Sequence, residues 1–474
     1  MSPSSESNSS FQKAEIGEVP SHWDVLPLSE FTTRVTYGFT NPMPDAEEGP
    51  YKLTAKDIND GRILYESARK TTQEAFDNDL TDKSRPAKGD VLLTKDGSIG
   101  RVAICDTDGL CISQSVAVLK PNDRIESRFL KYVLTTPHYQ RRMIGDADGT
   151  TIKHIYITRV NKMEVAIPPL PEQRAIASIL GALDDKIELN RRMNATLESL
   201  ARAIFKSWFV DFDPVHANAI RQNAGKTGAG QMPASSAIPT THDPKVLDLF
   251  PSTFQDSGIP EGWSAETIGD HVELQRGKTY KSKLKNEPGP YLLGLGTIER
   301  NGGFRANKLV TYGGDSPDNL LMYPGDLYVS LKDVTQSADL LGAVARVPTS
   351  VEVGRLTQDT VKLVLADDSV SSNILYRTLL TPAYRSYCRN YATGTTNLGL
   401  AREDFLGYPV VVPTDEVQKA FDDTMHQIEG QIDTNERESS SLGMIRDALL
   451  PQLLSGELPV DDFITATEEV LANA

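Results

Sequence analysis

Three short polar loops in each half of the 474-residue chain carry the side chains that could do chemistry. These loops are rich in Lys, Thr, Ser, Asn and Tyr. Lysine and arginine bind phosphate or guanine, Asn and Gln pair with adenine, and the threonine methyl contacts thymine. A single loop of this kind is often only a solvated turn. Loops repeated at matching positions with changed side chains indicate one scaffold that binds two targets. They are residues 36–42, 94–100 and 148–156, then 275–283, 331–337 and 393–399.

The residues in these loops divide by the contacts that their side chains can make. The candidate DNA-binding residues are Tyr37, Thr40, Lys95, Ser98, Thr150, Thr151, Lys153, Arg276, Lys278, Tyr280, Lys332, Thr335, Gln336, Thr395, Thr396 and Asn397. Phosphate contacts are predicted for four lysines, namely Lys95, Lys153, Lys278 and Lys332. Positions near base edges are predicted for Thr150, Thr151, Gln336, Thr395, Thr396 and Asn397.

Motifs for catalysis are missing from the sequence. There is no HExxH, no GxSxG and no GxGxxG after a predicted strand. The "GKT" at 225–227 is not a phosphate-binding loop, because the first glycine of that motif would fall on Ile220. The three cysteines form no CxxC pair and have no histidine at metal-ligand spacing. The chain is therefore predicted to have no catalytic residue, metal or cofactor of its own.

Composition limits the class of protein without deciding the ligand. The net charge is −16, from 65 acidic and 49 basic residues. Most of this acidic excess lies in residues 413–474, which leaves the middle of the chain nearly neutral, so charge neither supports nor excludes a nucleic-acid ligand. No apolar run reaches the ~18 residues of a membrane-spanning helix. Residues 1–16 are polar and serine-rich, which predicts a disordered lead without a signal peptide and a cytoplasmic protein.

An internal repeat supplies the elements that must position the loops. "VPSHW" at 19–23 recurs as "IPEGW" at 259–263, and "KGDVLLTKDG" at 88–97 recurs as "PGDLYVSLKD". The order of such matches is preserved along the chain, which indicates a tandem duplication. Short Val/Ile/Leu runs between Gly/Asp/Asn turns predict strands. We therefore predict two related α+β blocks, with Trp23 and Trp263 packed in their cores.

Each block is followed by a segment with the apolar spacing of a long amphipathic helix. The two predicted helices are expected to pack as an antiparallel, coiled-coil-like pair with a pseudo-two-fold axis. Asn190 and Asn435 occupy equivalent positions on the two apolar stripes. They are either buried residues that fix the register of the pair or solvent-facing residues where the helices diverge. The stripe residues expected to dock partners are Ile176, Leu180, Leu183, Ile187, Leu197, Ile204, Phe421, Met425, Ile428, Ile432, Leu442 and Leu449. Leu200 and Ile445 are predicted on the same stripes.

The predicted organisation has seven segments. They are a disordered lead (1–16), a first recognition block (17–165), a helix (166–212), a Gly/Ala/Ser/Pro-rich linker (213–257), a second recognition block (258–412), a second helix (413–457) and an acidic tail (458–474).

Two segments carry a specific family resemblance. "IPPLPEQRAIASILGALDDKIELNRRMNATLESLARAIFKSWFVDFDPV" at 167–215 and "FPSTFQDSGIPEGW" at 250–263 resemble the specificity (DNA-recognition) subunits of type I restriction–modification systems. The resemblance covers about residues 15–460. It implies two target-recognition domains, each reading half of a bipartite asymmetric site in double-stranded DNA, and two helical spacers that fix the gap. The second spacer departs from the pattern, since "PTDEVQKAF" lacks the Pro-Glu-Gln-Arg start of the first.

The same resemblance implies partners and places the chemistry on them. Two modification (methyltransferase) subunits would dock on the helices, and restriction (motor-nuclease) subunits would join the complex. S-adenosylmethionine, ATP and Mg would then belong to those partners. Two other classes of function are left open. One is a duplicated non-catalytic scaffold that binds proteins or glycans, and the other is an enzyme whose site is spread over the loops.

Overall fold

The computed structural model describes residues 11–149, 153–227, 244–367, 369–395 and 397–460. The chain divides into two compact units. The first unit comprises Met1–Glu188 with Ser439–Ala474, and the second comprises Leu189–Glu438. Each unit therefore contains one of the predicted globular blocks and part of each long helix.

The described residues of the first unit form thirteen strands, and most of the helices among them are short. The strands are β1 (Phe11–Ala14), β2 (Gly17–Pro20), β3 (Asp24–Pro27), β4 (Thr32–Tyr37), β5 (Ala46–Leu53), β6 (Ile58–Asn59), β7 (Arg62–Ile63), β8 (Arg69–Lys70), β9 (Val91–Thr94), β10 (Val102–Ile104), β11 (Cys111–Ile112), β12 (Val116–Pro121) and β13 (Glu164–Ile167). The helices are α1 (Gln73–Asn78), α2 (Ser127–Thr135), α3 (Pro137–Gly145), α4 (Ile157–Asn161) and the start of α5 (Leu170–Phe209).

The second unit contains the remaining elements in the same general order. Its helices are α6 (Asp213–Thr227), α7 (Pro244–Leu247), α8 (Ile268–His271), α9 (Ser372–Thr378), α10 (Pro382–Asn390), α11 (Arg402–Leu406) and the start of α12 (Asp415–Ser455). Its strands are β14 (Ser264–Thr267), β15 (Val272–Arg276), β16 (Tyr291–Leu293), β17 (Leu321–Met322), β18 (Leu327–Val329), β19 (Lys332–Asp333), β20 (Val344–Arg346), β21 (Gly354–Leu356), β22 (Val361–Leu365), β23 (Leu398–Gly399) and β24 (Pro409–Val412).

The two units repeat one sheet topology. The first has an antiparallel sheet in the order β10-β9-β12-β4, and the second has β20-β18-β22-β15. A parallel pair follows in each unit, β11 with β5 and β21 with β16. An antiparallel pair, β13 with β3 or β24 with β14, joins the start of each block to the strand before its long helix. The predicted duplication and the α+β class are therefore confirmed.

A buried glutamine fixes the start of each long helix. Gln173 accepts a hydrogen bond from the backbone N–H of Glu126 and donates to the carbonyls of Arg124 and Pro168. The equivalent Gln418 accepts from the N–H of Ser371 and donates to the carbonyls of Ser369 and Pro413. Buried amide groups need such partners, because each lost bond costs about 1–3 kcal/mol. The missing Pro-Glu-Gln-Arg pattern in the second copy therefore does not change how its helix begins.

The asparagines of the two stripes are buried within the second unit. Asn190 is 0% exposed and Asn435 is 3% exposed. The Nδ2 of Asn190 donates to Glu438 at 2.8 Å, and the Nδ2 of Asn435 donates to the Oδ1 of Asn194 at 2.7 Å. This geometry decides between the two interpretations of the sequence in favour of a buried polar layer between the helices, which run antiparallel in this unit.

Several predicted stripe residues occupy different places from those expected. Ile176, Leu180, Phe421, Met425 and Ile428 are buried in the cores of their own units. The remaining predicted docking residues, Leu183, Ile187, Leu197, Ile204, Ile432, Leu442 and Leu449, are only partly exposed. Because these side chains pack against their own chain, the prediction that the buried ones contact a partner is wrong.

The stripe also shifts in the second half of α5. Leu200 is 48% exposed, whereas Ala201 and Phe205 are buried. Ile445 on α12 is likewise 48% exposed. A straight helix rotates by about 20° per heptad relative to a 3.5-residue repeat, so a stripe drawn at constant spacing leaves the core after a few turns.

Two predicted irregular segments contain regular structure. Phe11–Ala14 pairs with Gly17–Pro20, so the predicted disordered lead ends in a hairpin. The predicted linker begins with α6, and Val215 and Phe250 are buried within that range. In both places a few apolar residues pack in a core, which local composition does not reveal.

The tryptophan predictions are confirmed, since Trp23 and Trp263 are 2% and 4% exposed. No helix among the described residues is long and apolar enough to cross a membrane.

Candidate nucleic-acid interface

The three polar loops of the first unit meet at one end of its sheet. Tyr37 and Leu93 both pair with Ala117, so β4 and β9 end at the same level on either side of β12. The loop after β9 joins the third loop through backbone hydrogen bonds. The N–H of Gly97 donates to the carbonyl of Lys153 at 2.9 Å, and the N–H of Ile155 donates to the carbonyl of Lys95 at 2.9 Å. We call residues 36–42, 94–100, 148–149 and 153–156 the first loop cluster.

The second unit forms an equivalent second loop cluster from residues 275–283, 331–337, 393–395 and 397–399. Arg276 and Val329 both pair with Val361, so β15 and β18 end at the same level on either side of β22. The N–H of Leu400 donates to the carbonyl of Leu331 at 2.9 Å, which repeats the Ile155–Lys95 bond of the first unit. β19 also pairs with β23 within this cluster. The sequence repeat thus extends to individual backbone hydrogen bonds at the predicted loops.

A glycine permits close packing where the first loop of each cluster leaves the sheet. A Cβ atom on Gly38 would lie 1.6 Å from the carbonyl oxygen of Ile112. A Cβ atom on Gly277 would lie 2.0 Å from the carbonyl oxygen of Thr357. Any larger residue would push the strands apart at this point.

Equivalent polar side chains on α3 and α10 hold one loop in each unit. This loop connects β9 to β10 in the first unit and β18 to β20 in the second. Gln140 donates to the carbonyls of Gly100 and Leu134 at 2.7 and 2.6 Å. Arg385, at the equivalent position, is 4% exposed. It donates to the carbonyls of Ala338, Asp339 and Leu341 at 2.6–2.9 Å. Burial lowers the pKa of Arg385. The guanidinium remains charged because an arginine pKa is far above neutral pH.

Another buried arginine holds the first loop of the second cluster. Arg355 on β21 is 3% exposed and donates to the carbonyls of Thr279 and Asp315, both at 3.1 Å. Neither Arg355 nor Arg385 was recognised from the sequence. Arg385 and Gln140 could have been found there, because both follow a repeated Thr-Pro-x-Tyr motif by the same number of residues.

Most of the predicted DNA-binding side chains are exposed at these two clusters. The exposed residues are Tyr37, Thr40, Ser98, Lys153, Arg276, Lys278, Lys332, Thr335, Gln336, Thr395 and Asn397. Tyr280 is partly buried, with the Lys285 ammonium 4.8 Å from its ring centroid. Thr150, Thr151 and Thr396 lie outside the described residues.

Lys95 does not have the geometry of a phosphate-binding side chain. Its side chain is 13% exposed and forms an ion pair with Asp96 at 2.9 Å. Its ammonium also lies 5.3 Å from the ring centroid of Tyr37. Because the charge is already compensated and largely shielded, Lys95 stabilises the loop. The ammonium of Lys83 lies 5.9 Å from the centroid of the same Tyr37 ring, a contact that the sequence analysis did not predict.

The cysteines have the environment of structural thiols. Cys105, Cys111 and Cys388 are free and buried. Burial raises the pKa of both Cys105 and Cys111 to about 12. At neutral pH such thiols are protonated and are poor nucleophiles. Within the described parts of the chain, no group of His, Cys, Asp and Glu has the arrangement of a metal site.

Comparison with known proteins yields related sequences of one kind. The family described as "Type I restriction modification DNA specificity domain" matches residues 40–199. The chain is 29% identical over 420 residues to the HindI type I restriction enzyme specificity subunit of Haemophilus influenzae, covering 80% of this chain and 89% of that protein. It is 25% identical over 472 residues to the MjaIX specificity subunit of Methanocaldococcus jannaschii, covering 95% and 97%.

A solved structure shares the fold. The S subunit of a type I restriction–modification system from M. genitalium superimposes with a TM-score of 0.52 at 16% identity. The match covers 96% of this chain and 99% of the solved one.

Proposed function

We propose that the chain is a DNA-specificity subunit of a type I restriction–modification system and that each of its units reads one half of a bipartite, asymmetric site. The observation that carries the proposal is the pair of equivalent loop clusters. They have the same strand ends and the same connecting backbone bond, but different side chains. A common scaffold with exchanged loop residues is suited to reading two different short sequences.

The exposed side chains supply both kinds of contact that sequence-specific binding needs. Lys153, Lys278, Lys332 and Arg276 are cations exposed at the clusters and are suited to phosphate contacts. Thr395 and Asn397 are exposed polar residues suited to base edges. The two long helices would set the number of unread bases between the half-sites.

We assign the catalytic steps to partner subunits. In this proposal two modification (methyltransferase) subunits bind the chain and carry S-adenosylmethionine. Restriction (motor-nuclease) subunits, where they join, use ATP and Mg. The specificity subunit then contributes recognition alone.

Exposed apolar residues on the helices replace the buried stripe as the proposed docking surface. Leu189, Met193 and Leu200 on α5 are 50%, 37% and 48% exposed. Their spacing of four and seven residues places them along one side of the helix. Apolar residues that remain exposed in such a row are typical of a protein–protein contact.

Methylation mapping tests the proposed function. DNA from cells that express this chain with its modification subunits should carry methyl groups in a bipartite motif with an unread gap. Exchange of residues 17–165 for the corresponding block of another specificity subunit should change one half of the motif and leave the other intact. A soluble, assembled complex that produces no chain-dependent methylation would contradict the proposal and favour the protein- or glycan-binding scaffold.

The salt dependence of binding tests the phosphate contacts. Each of Lys153→Ala and Lys332→Ala should weaken binding of the assembled complex to all DNA sequences and reduce the slope of log K against log [salt] by about 1. Lys88→Ala is the matched control, because this exposed lysine precedes β9 at the other end of the strand. A slope that stays at the wild-type value in both variants would remove these lysines from the interface.

A further inference from the structure

The second unit has an extended loop where the first unit has a tight one. The strands β9 and β10 are connected by residues 95–101, whereas the equivalent β18 and β20 are connected by residues 330–343. Residues 331–337 of this connection belong to the second loop cluster. A difference of this size at the same place on a repeated scaffold marks a position where the two units recognise different features.

Hydrogen bonds of the buried side chains of Asp333 and Arg385 hold the extended loop in place. Asp333 is 0% exposed, and its carboxylate accepts hydrogen bonds from the N–H and hydroxyl of Thr335 and from the N–H of Leu340. Arg385 holds the carbonyls of the following segment. Pairing of β19 with β23 fixes Lys332 and Asp333, which directly precede Val334. We call Val334 the tip of the loop.

The polar groups next to the tip are engaged within the cluster. The hydroxyl of Thr335 donates to Asp333 at 2.8 Å, and the amide nitrogen of Gln336 donates to the carbonyl of Thr395 at 2.9 Å. Between these fixed residues and Lys332 lies Val334, which is 63% exposed. The group that the tip presents to a ligand is therefore an apolar one on a preorganised backbone, which loses little freedom on binding.

We propose that Val334 reads a thymine by packing against its C5-methyl group in the major groove. This inference rests on the proposed function and adds a specificity-determining residue to the second half-site. The thymine methyl is the apolar group that base pairs present in the major groove. Lys332, two residues earlier and exposed, is placed to contact a phosphate beside that base.

The test uses duplexes that carry the mapped methylation motif, with each thymine of the half-site read by the second unit replaced singly by uracil. Uracil lacks only the C5-methyl group. The assembled wild-type complex should bind one of these duplexes about fourfold more weakly, the effect of one buried methyl. The Val334→Ala complex should bind the thymine duplex about fourfold more weakly than wild type and should not distinguish it from the uracil duplex.

Val364→Ala is the matched control, because Val364 is also exposed in the second unit but lies on β22 opposite Glu273, away from the cluster. This variant should keep the wild-type ratio between thymine and uracil duplexes. Equal thermal unfolding of the two variants would show that both are folded.

Three results would overturn the inference: a Val334→Ala complex that keeps the wild-type ratio, a wild-type complex indifferent to every uracil, or a second half-site made only of G·C pairs. Each of these can occur while the motif still maps as two halves, so the proposed function would survive. If the proposed function itself fails, no chain-dependent motif appears and no duplex can be chosen.

Discussion

Replacement of Arg385 by methionine will remove recognition of the half-site read by the second unit and leave the other half-site intact. Methionine keeps most of the length of the side chain but removes the guanidinium. The carbonyls of Ala338, Asp339 and Leu341 then lose their donor in a buried environment. Each orphaned buried acceptor costs about 1–3 kcal/mol. Loop 330–343 is expected to open to water because that exposes these carbonyls to new partners.

The measurement is discrimination between an intact duplex and one whose second half-site is scrambled. Base contacts contribute about 1–3 kcal/mol each, so loss of two or more corresponds to ~30-fold or greater loss of discrimination. Hydrogen exchange should become faster in residues 330–343. Discrimination against a scrambled first half-site should stay unchanged.

Two further variants make the Arg385 result specific. Arg389→Met changes an exposed arginine one turn later on α10 and should leave discrimination at the wild-type level. Arg385→Gln introduces the side chain that the first unit uses at this position, Gln140, and should retain part of the discrimination because it still donates to one or two carbonyls. Full discrimination by Arg385→Met would show that the loop does not need this support.

The sequence predicted the scaffold better than the site because the two depend on different information. The repeat, the α+β blocks and the long helices follow from patterns that extend over many residues, and Trp23 and Trp263 follow from their place in the repeat. The partner of a single polar side chain does not. Lys95 reads as an exposed cation in "TKDGSIG", yet its neighbour Asp96 and the ring of Tyr37 enclose it.

Buried polar residues were the other part that the pattern could not reveal. Arg355 and Arg385 are buried and Gln140 is partly buried. The repeated Thr-Pro-x-Tyr motif marks the positions of Gln140 and Arg385, but only the folded chain shows which carbonyls these side chains hold. Val334 was not predicted as a binding residue, because a valine in a sequence is expected to be buried. Its exposure becomes visible only when the length and support of its loop are known.

The second large effect is expected from Phe421→Ala, which removes the aromatic anchor between α12 and α5 in the second unit. Phe421 is 0% exposed. Its ring centroid lies 4.9 Å from that of Phe209, 5.8 Å from that of Trp208 and 6.0 Å from that of Phe205. Truncation of a buried phenylalanine costs about 3–5 kcal/mol, from lost burial and from the cavity left behind. The free energy of unfolding of the second unit should fall by this amount, and amide hydrogens at the start of α12 should exchange faster.

Leu200→Ala provides the control for Phe421→Ala. It distinguishes the helix packing seen in the structure from the packing that an apolar stripe of constant spacing would give. A uniform stripe would place Leu200 in the seam and make its truncation costly. In the structure Leu200 is 48% exposed and Ala201 takes the buried position, so the free energy of unfolding of the isolated chain should change by no more than about 0.5 kcal/mol. Comparable losses from Phe421→Ala and Leu200→Ala would mean that the helix pair follows the constant spacing and that the rotation of α5 toward Phe205 is wrong.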